Sequence, residues 1–197
     1  MTLVGKPAPD FTVDGYFKGK FEPVSLKSLN GKWVYLLFYP LDYTFVCPTE
    51  VLSFSKHASE FSERGCQVLG VSVDSKFVHK AWVESKAEEG GLGGSLAYPL
   101  LGDVTKNMCR AYGVLDENAG IALRGSFLID PKGTIMNSVV NNLPVGRSAI
   151  EALRTLKAFQ YVTSHEGEVC PADWDEGMDT MKASPEGMRS YLTKHAR

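Results

Sequence analysis

Cys47 is the residue with the clearest potential for chemistry, because a strand and a helix start flank it. It lies in the segment Tyr39-Pro40-Leu41-Asp42-Tyr43-Thr44-Phe45-Val46-Cys47-Pro48-Thr49-Glu50. The apolar run from Trp33 to Tyr39 predicts a buried strand, whereas Pro48 and Glu50 favour the first turn of a helix. Cys47 is therefore expected at or just before a helix N-terminus. Unpaired N–H groups and the helix dipole stabilise an anion there, and the thiolate is the nucleophilic form of cysteine.

The other cysteines and the histidines form no recognisable disulfide or metal motif. They are Cys66, Cys109 and Cys170, with His57, His79, His165 and His195. The wide spacing and the absence of Cys-x-x-Cys argue against a disulfide scaffold and against a zinc site. Cys66 and Cys109 lie in apolar periodic segments, which favours a role in the core or no role in the chemistry.

Length, composition and charge limit the classes of protein to which this chain can belong. The chain has 197 residues and a net charge of −2, which suits one domain with an extension and gives no basic surface for nucleic acid. No stretch approaches the ~20 apolar residues of a membrane span. The first residues lack the apolar centre of a signal peptide, so we expect a cytoplasmic protein without membrane or nucleic-acid partners.

Strands and helices are predicted to alternate around Cys47. The helix after Cys47 has apolar residues at helical spacing from Val51 to Phe61 and is expected to end at Gly65. Residues 66–73 predict a second strand, and Ser75 is a suitable cap for a helix whose apolar face is formed by Phe77, Val78, Ala81 and Trp82.

The second half of the chain predicts a hairpin and a long helix. Strands over 126–130 and 134–140 flank a Pro-Lys-Gly turn, and apolar positions from Ala149 to Phe159 indicate a helix. This order predicts an α/β fold with a central mixed β-sheet flanked by helices. Residues 165–197 are rich in Pro, Gly and charge, so we expect a domain over 1–164 and a C-terminal extension over 165–197.

The pattern Pro40-x-x-x-Thr44-x-x-Cys47 resembles the active-site signature of peroxiredoxins, and Val-Cys-Pro-Thr-Glu resembles their typical two-cysteine branch. Further matches in the same order cover nearly the whole chain. They are Gly70-Val71-Ser72-Val73-Asp74, Tyr98-Pro99-Leu100-Leu101, Arg124-Gly125-Ser126-Phe127-Leu128-Ile129-Asp130, Val145-Gly146-Arg147 and Gly167-Glu168-Val169-Cys170-Pro171-Ala172-Asp173-Trp174. The resemblance implies a thioredoxin-like fold and reduction of hydrogen peroxide or small organic hydroperoxides, with no bound cofactor.

The resemblance also implies roles and partners. Cys47 would be the peroxidatic cysteine and Cys170, in the extension, the resolving cysteine from the other subunit. A thioredoxin-like or flavoprotein dithiol would recycle the disulfide, and a homodimer would assemble as a decamer of five dimers. The family also includes members that act as holdase chaperones or redox-signalling relays.

The residue types around Cys47 make chemical sense on their own. The thiolate attacks one peroxide oxygen, and the other oxygen leaves as water or alcohol. Thr44 is expected to donate a hydroxyl hydrogen bond to the peroxide or the thiolate, and Arg124 offers a permanent charge with several donors. Pro40 would shield the pocket from water, and it carries no N–H that needs a partner.

Three further residues are candidates for supporting roles. Glu50 is placed to orient an arginine, and Arg147, matched by resemblance, would join that network. A first-turn acid and a surface arginine are the alternatives for these two. Tyr39 either lines the pocket or packs at the strand end.

Thiolate formation alone cannot account for fast peroxide reduction. A thiol with a pKa of ~8.5 is a few per cent thiolate at neutral pH, and a pKa of ~6 raises that fraction roughly 30-fold. Nucleophilicity falls with a Brønsted slope of ~0.45, so the same change costs roughly 13-fold in reactivity, and the net gain is about twofold. Positioning of the peroxide and stabilisation of the leaving oxygen must therefore dominate.

Two other cysteine chemistries fit the sequence less well. A thiol–disulfide oxidoreductase would need a second cysteine beside the helix start, and Val46-Cys47-Pro48-Thr49 has none. A cysteine hydrolase would need a histidine base, and His57 lies roughly 15 Å along the predicted helix.

The segment Gly90-Gly91-Leu92-Gly93 resembles an element of family members that are prone to over-oxidation, which pair it with a C-terminal Tyr-Phe. Here the matching pair is Tyr191-Leu192, so we predict intermediate sensitivity to excess peroxide. The lost aromatic contact is worth on the order of 1 kcal/mol.

Overall fold

The structure is a computed structural model that describes residues 2–195. Its strands are β1 (Thr12–Phe17), β2 (Lys20–Ser25), β3 (Trp33–Phe38), β4 (Cys66–Ser72), β5 (Leu100–Gly102), β6 (Leu115–Asp116), β7 (Ile121–Ala122), β8 (Arg124–Ile129), β9 (Ile135–Asn141), β10 (Glu168–Val169) and β11 (Met181–Lys182). Its α-helices are α1 (Cys47–Lys56), α2 (Ala58–Glu63), α3 (Lys76–Glu84), α4 (Asn107–Ala111), α5 (Ala149–Ser164) and α6 (Pro185–His195).

The predicted mixed sheet is confirmed. Within residues 2–195 it contains seven strands in the order β2-β1-β5-β4-β3-β8-β9. β3 pairs in parallel with β4, and β4 in parallel with β5, whereas β8 runs antiparallel to both β3 and β9. The predicted hairpin is the β8–β9 pair, and with helices around the sheet the arrangement is that of a thioredoxin-like fold.

Strand β3 is the buried centre of the sheet. All six of its residues are buried, as an apolar run without alternation predicts for a strand that is covered on both faces. The core cluster around it includes Leu36, Phe38, Leu69 and Phe127, which come from β3 and its two neighbours. This buried strand ends directly before the segment that leads to Cys47.

Two details of the predicted helices are wrong. The single helix expected up to Gly65 is two helices, because the backbone leaves the helical region at His57, where φ is −99° and ψ is 7°. The expected apolar face of α3 is only partly right: Trp82 is buried as predicted, but Phe77, Val78 and Ala81 are exposed, and His79 and Val83 are buried as well.

The chain divides into two compact units, the first ending at Ala149 and the second beginning at Ile150. In the second unit, the segment after α5 is tied back to that helix. Arg154 donates to the carbonyl of Trp174 at 2.8 Å, and the hydroxyl of Tyr161 donates to Glu168 at 2.7 Å.

Within residues 2–195, none of the helices combines the length and the apolar character that a membrane span requires.

Candidate active site

The loop between β3 and α1, residues 39–46, is held where the sheet meets the first turn of α1. Because β8 is antiparallel to β3 and Leu37 lies opposite Ser126, the start of β8 reaches the end of β3. That register brings Arg124, the first residue of β8, to the Cys47 helix start. All the side chains of this site belong to the first unit.

Cys47 is the first residue of α1, as predicted, and its side chain is fully buried. Pro48 occupies the first turn, and Val46 at the N-cap provides no side-chain hydrogen bond. Pro48 has no N–H, and the N–H of Thr49 donates to the carbonyl of Val46 at 3.1 Å, so the positive end of the helix dipole, rather than a set of free donors, favours an anion at Cys47. A thiol that is wholly covered by protein restricts the reaction to a small group, such as the O–O end of a hydroperoxide.

Arg124 is the cation that faces the thiol. Its Nη1 lies 3.5 Å from Sγ of Cys47 and 2.6 Å from Oε2 of Glu50. Its Nε donates to the carbonyl of Leu143 at 2.6 Å, and the residue is only 4% exposed. The guanidinium is therefore fixed on two sides before any substrate arrives, which is the arrangement that electrostatic catalysis requires.

Glu50 joins two arginines. Besides Arg124, it accepts from the backbone N–H of Arg147 at 2.7 Å and from its side chain, where Nε is at 2.8 Å and Nη2 at 3.1 Å. The third nitrogen of Arg147, Nη1, donates to the carbonyl of Gly125. Two guanidinium groups and one carboxylate leave one positive charge in a buried site, which a thiolate at Cys47 would balance.

Gly146 allows this close packing. A Cβ atom at this position would lie 3.2 Å from both the Glu50 and the Val46 side chains, tighter than an ordinary contact. The sequence analysis matched Gly146 only as part of a family motif and missed the carbonyls of Leu143 and Gly125. Backbone acceptors leave no signal in the residue types.

The structure gives the remaining loop candidates distinct positions. The hydroxyl of Thr44 donates to the carbonyl of Leu41 at 2.9 Å, so the predicted donation to the peroxide or the thiolate is wrong for this conformation, and the Thr44 oxygen can only accept a hydrogen bond. Pro40 is buried. Tyr39 is fully buried, and its ring contacts the ring of Trp82. Of the two alternatives for Tyr39, this contact corresponds to packing at the end of the strand.

A buried polar network that the sequence analysis missed anchors the loop. Asp42 accepts from the hydroxyl of Tyr39 at 2.8 Å and lies 2.7 Å from Nδ1 of His79, and its backbone N–H donates to Asp74 at 2.9 Å. Burial raises the pKa of Asp42, and the contact with His79 opposes that rise. One feature of the sequence could have indicated this network: Asp42 is a carboxylate that lies between Pro40 and Thr44, inside the active-site signature.

The three other cysteines lie in different environments. Cys66 and Cys109 are buried, and burial raises the pKa of both thiols, so neither is suited to nucleophilic attack. Cys170 belongs to the second unit, is half-buried, and lies 3.7 Å from the carbonyl of Ala158. Burial raises the pKa of the Cys170 thiol as well. Among residues 2–195, no group of three His, Cys, Asp or Glu side chains is arranged to hold a metal ion.

Family sequence models match two parts of the chain. The model of the AhpC/TSA family matches residues 4–138, and the model of the C-terminal domain of 1-Cys peroxiredoxin matches residues 158–194. The first match covers the site residues up to Arg124 and Gly125, whereas Leu143, Gly146 and Arg147 lie beyond it. The second includes Cys170.

Relatives and solved structures agree with these matches. Peroxiredoxin-2 of Rattus norvegicus is 54% identical over 98% of this chain and 96% of its own, and peroxiredoxin tpx1 of Schizosaccharomyces pombe is 53% identical over 98% of each. The crystal structure of reduced 2-Cys peroxiredoxin from Plasmodium vivax superposes with a TM-score of 0.94 at 42% identity, over 98% of this chain and 100% of that one. AhpC of Enterococcus faecalis gives a TM-score of 0.80 at 40% identity, over 87% and 100% of the two chains.

Proposed function

This chain belongs to the peroxiredoxin family, and we propose that its thiol-dependent peroxidase reaction takes place at Cys47 beside Arg124. The observation that carries this assignment is the contact between Nη1 of Arg124 and Sγ of Cys47, at 3.5 Å in a fully buried site. A cation in that place stabilises the thiolate before the reaction and the negative charge that develops on the peroxide during it.

The first step is a displacement at oxygen. The Cys47 thiolate forms an S–O bond with one peroxide oxygen as the O–O bond breaks, and the other oxygen departs with the electron pair and takes up a proton. The products are a cysteine sulfenic acid and water, or an alcohol if the substrate is an organic hydroperoxide. Sulfur is oxidised by two electrons and the peroxide is reduced by two.

Arg124 acts mainly in the transition state of this step. Its position is preset by Glu50 and by the Leu143 carbonyl, so the guanidinium need not reorganise when charge moves onto the departing oxygen. Arg147 acts through Glu50, since three of its bonds go to that carboxylate. Removal of one preset donor of this kind costs a factor of about 10² to 10³ in rate.

Thr44 and Pro40 would bind and shelter the peroxide. Because the Thr44 hydroxyl proton is engaged by Leu41, its oxygen would accept a hydrogen bond from the O–H of the peroxide. Pro40 presents an apolar, donor-free surface that excludes water from the thiolate. The substrates are therefore hydrogen peroxide and small organic hydroperoxides.

The second step needs another thiol. We assign Cys170, in the C-terminal extension over residues 165–197, as the resolving cysteine that attacks the Cys47 sulfur and releases water. The resulting disulfide would join two subunits of a homodimer, which assembles as a decamer, and a thioredoxin-like or flavoprotein dithiol in the cytoplasm would reduce it. Cys47 must leave its buried position first, because no thiol can approach a side chain that is fully covered.

Single-turnover measurements test the assignment of Cys47 and Arg124. Consumption of one equivalent of hydrogen peroxide should be lost in Cys47→Ser and slowed about 10² to 10³-fold in Arg124→Ala. Cys109→Ser is the matched control, because it removes a buried thiol that has no part in the proposed reaction. Peroxide consumption that survives Cys47→Ser would overturn the proposal.

A further inference from the structure

We propose that the hydrogen bond between the hydroxyls of Tyr43 and Ser85 is a latch that slows disulfide formation at Cys47. It would hold the Cys47 loop (residues 39–46) in the conformation that reduces peroxide. Tyr43 would thus be a positioning residue that decides between the two fates of the sulfenic acid. This inference rests on the proposed function, in which Cys47 must move before a second thiol can reach it.

Tyr43 has a backbone conformation that its side chain disfavours. Its φ is +52°, in the left-handed region that glycine adopts readily and aromatic residues adopt seldom. Such a residue persists only where its surroundings hold it, and these residues are concentrated in functional loops. Tyr43 directly precedes Thr44, so its conformation sets the direction in which the chain continues towards Cys47.

Tyr43 is held by contacts of both its ring and its hydroxyl. The residue is 44% exposed, and its ring lies 6.2 Å from that of Trp82. Its oxygen lies 3.0 Å from Oγ of Ser85. Because Ser85 donates its own hydroxyl hydrogen to the carbonyl of Ala81 at 2.7 Å, Tyr43 must be the donor in this pair.

Ser85 is a rigid acceptor. It follows the last residue of α3, and its carbonyl accepts from Gly93 at 3.0 Å. The loop over residues 90–94 wraps closely around it, because a Cβ atom on Gly91 would lie only 2.2 Å from the Ser85 oxygen. The indole N–H of Trp82 also donates to Gly90 at 3.0 Å. Tyr43 is therefore bonded to a part of the molecule that is fixed by several backbone hydrogen bonds.

The latch opposes only the step that requires movement. The Cys47 sulfenic acid has two fates: a thiol from Cys170 forms an S–S bond and releases water, or a second peroxide adds oxygen and leaves as water or alcohol, giving the sulfinic acid. The disulfide requires the chain from Tyr43 to Cys47 to leave its place, whereas over-oxidation takes place in the buried site. Breaking the Tyr43–Ser85 bond and relieving the backbone strain should favour the disulfide.

Two single variants and their combination test the latch. Tyr43→Phe removes only the hydroxyl and keeps the ring against Trp82, and Ser85→Ala removes the acceptor. After a pulse of hydrogen peroxide, acid quenching and intact mass give the rate of disulfide formation and the sulfinic fraction. We expect disulfide formation about threefold to tenfold faster, the range for one neutral hydrogen bond, and a matching decrease in the sulfinic fraction. The double variant should equal either single variant, because both lose one bond.

Matched controls separate the latch from a general loss of stability. Tyr112→Phe removes a hydroxyl that donates to the Pro9 carbonyl, and Ser62→Ala removes one that donates to the Ser59 carbonyl. Both should leave the disulfide rate as in the wild type. Sedimentation should show the same assembly for all the variants.

Three results would overturn the latch. They are unchanged disulfide rates in Tyr43→Phe and Ser85→Ala, additive effects in the double variant, and an equal acceleration in Tyr112→Phe. Failure of the proposed function is distinct, because then the wild type itself would form no disulfide after peroxide. If the wild type cycles normally and the variants match it, only the latch is refuted.

Discussion

Replacing Arg124 by lysine tests whether geometry or charge alone carries the reaction. The guanidinium uses two nitrogens in one plane: Nε for the Leu143 carbonyl, and Nη1 for both Glu50 and the Cys47 sulfur. A lysine has a single nitrogen and cannot occupy both positions at once. Arg124→Lys therefore keeps the positive charge but loses at least one charge-assisted hydrogen bond and the fixed orientation.

The expected loss is large. A hydrogen bond to a charged group contributes about 1.5–3 kcal/mol, and removal of a preset donor at a developing oxyanion costs about 10² to 10³ in rate. We expect the second-order rate constant for hydrogen peroxide to fall by that factor. The assay is stopped-flow reduction of peroxide by the reduced protein, from pH ~6 to pH ~9, the range in which cysteines commonly titrate.

The pH dependence separates the two explanations. If Arg124 acts on the transition state, the fold-loss in Arg124→Lys stays constant across the range. If the arginine only increases the thiolate fraction, raising the pH restores the thiolate in the variant. The ratio of the wild-type to the variant rate constant then falls towards one. A difference between wild type and variant that disappears at high pH would refute the reasoning.

Three further predictions concern Glu50, Glu168 and Leu192. Glu50→Gln leaves two buried guanidinium groups without their carboxylate, so we expect a destabilisation of about 3–5 kcal/mol in denaturant unfolding and slower peroxide reduction. Hydrogen bonds from Thr180, and then from Tyr161, lower the pKa of Glu168. The stability they give the β10–β11 segment is therefore present above the ordinary value of ~4.3 and lost as the pH falls through the lowered pKa, which Trp174 fluorescence should report. Leu192→Phe restores the aromatic residue of sensitive family members, so the sulfinic fraction at excess peroxide should rise; an unchanged fraction would show that this position does not set sensitivity.

The parts of the site that local patterns could predict are those formed within one stretch of chain. The apolar run of β3 and Pro48 placed Cys47 at a helix start, and the turn between β8 and β9 gave the hairpin. In each case neighbouring residues determine the structure through burial, a fixed proline φ or turn chemistry.

The parts that sequence could not supply depend on distant residues. Arg124 and Arg147 meet Glu50 across 74 and 97 residues, and spacing along the chain gives no indication of such contacts. Arg147 was matched only through a family resemblance. The break at His57 has no glycine or proline to mark it, so helical spacing of apolar residues extended the predicted helix too far.

The exposed residues Phe77 and Val78 show a further limit. Both were assigned with Trp82 to the apolar face of α3, but of these three only Trp82 is buried, and His79 and Val83 also face inward. His79 is buried because Asp42 provides a carboxylate 2.7 Å from Nδ1. The spacing of apolar residues cannot predict the buried face of a helix when a polar residue is buried against a polar partner. Here that partner lies 37 residues away in the sequence.

The most direct test of the central claim is non-reducing electrophoresis with intact mass after one equivalent of hydrogen peroxide. It compares the wild type with Cys47→Ser and Cys170→Ser. We predict a disulfide-linked dimer in the wild type that is absent from both variants. The same linked species in Cys170→Ser would show that Cys170 is not the resolving cysteine, and peroxide consumption by Cys47→Ser would contradict the assignment of the reaction to Cys47.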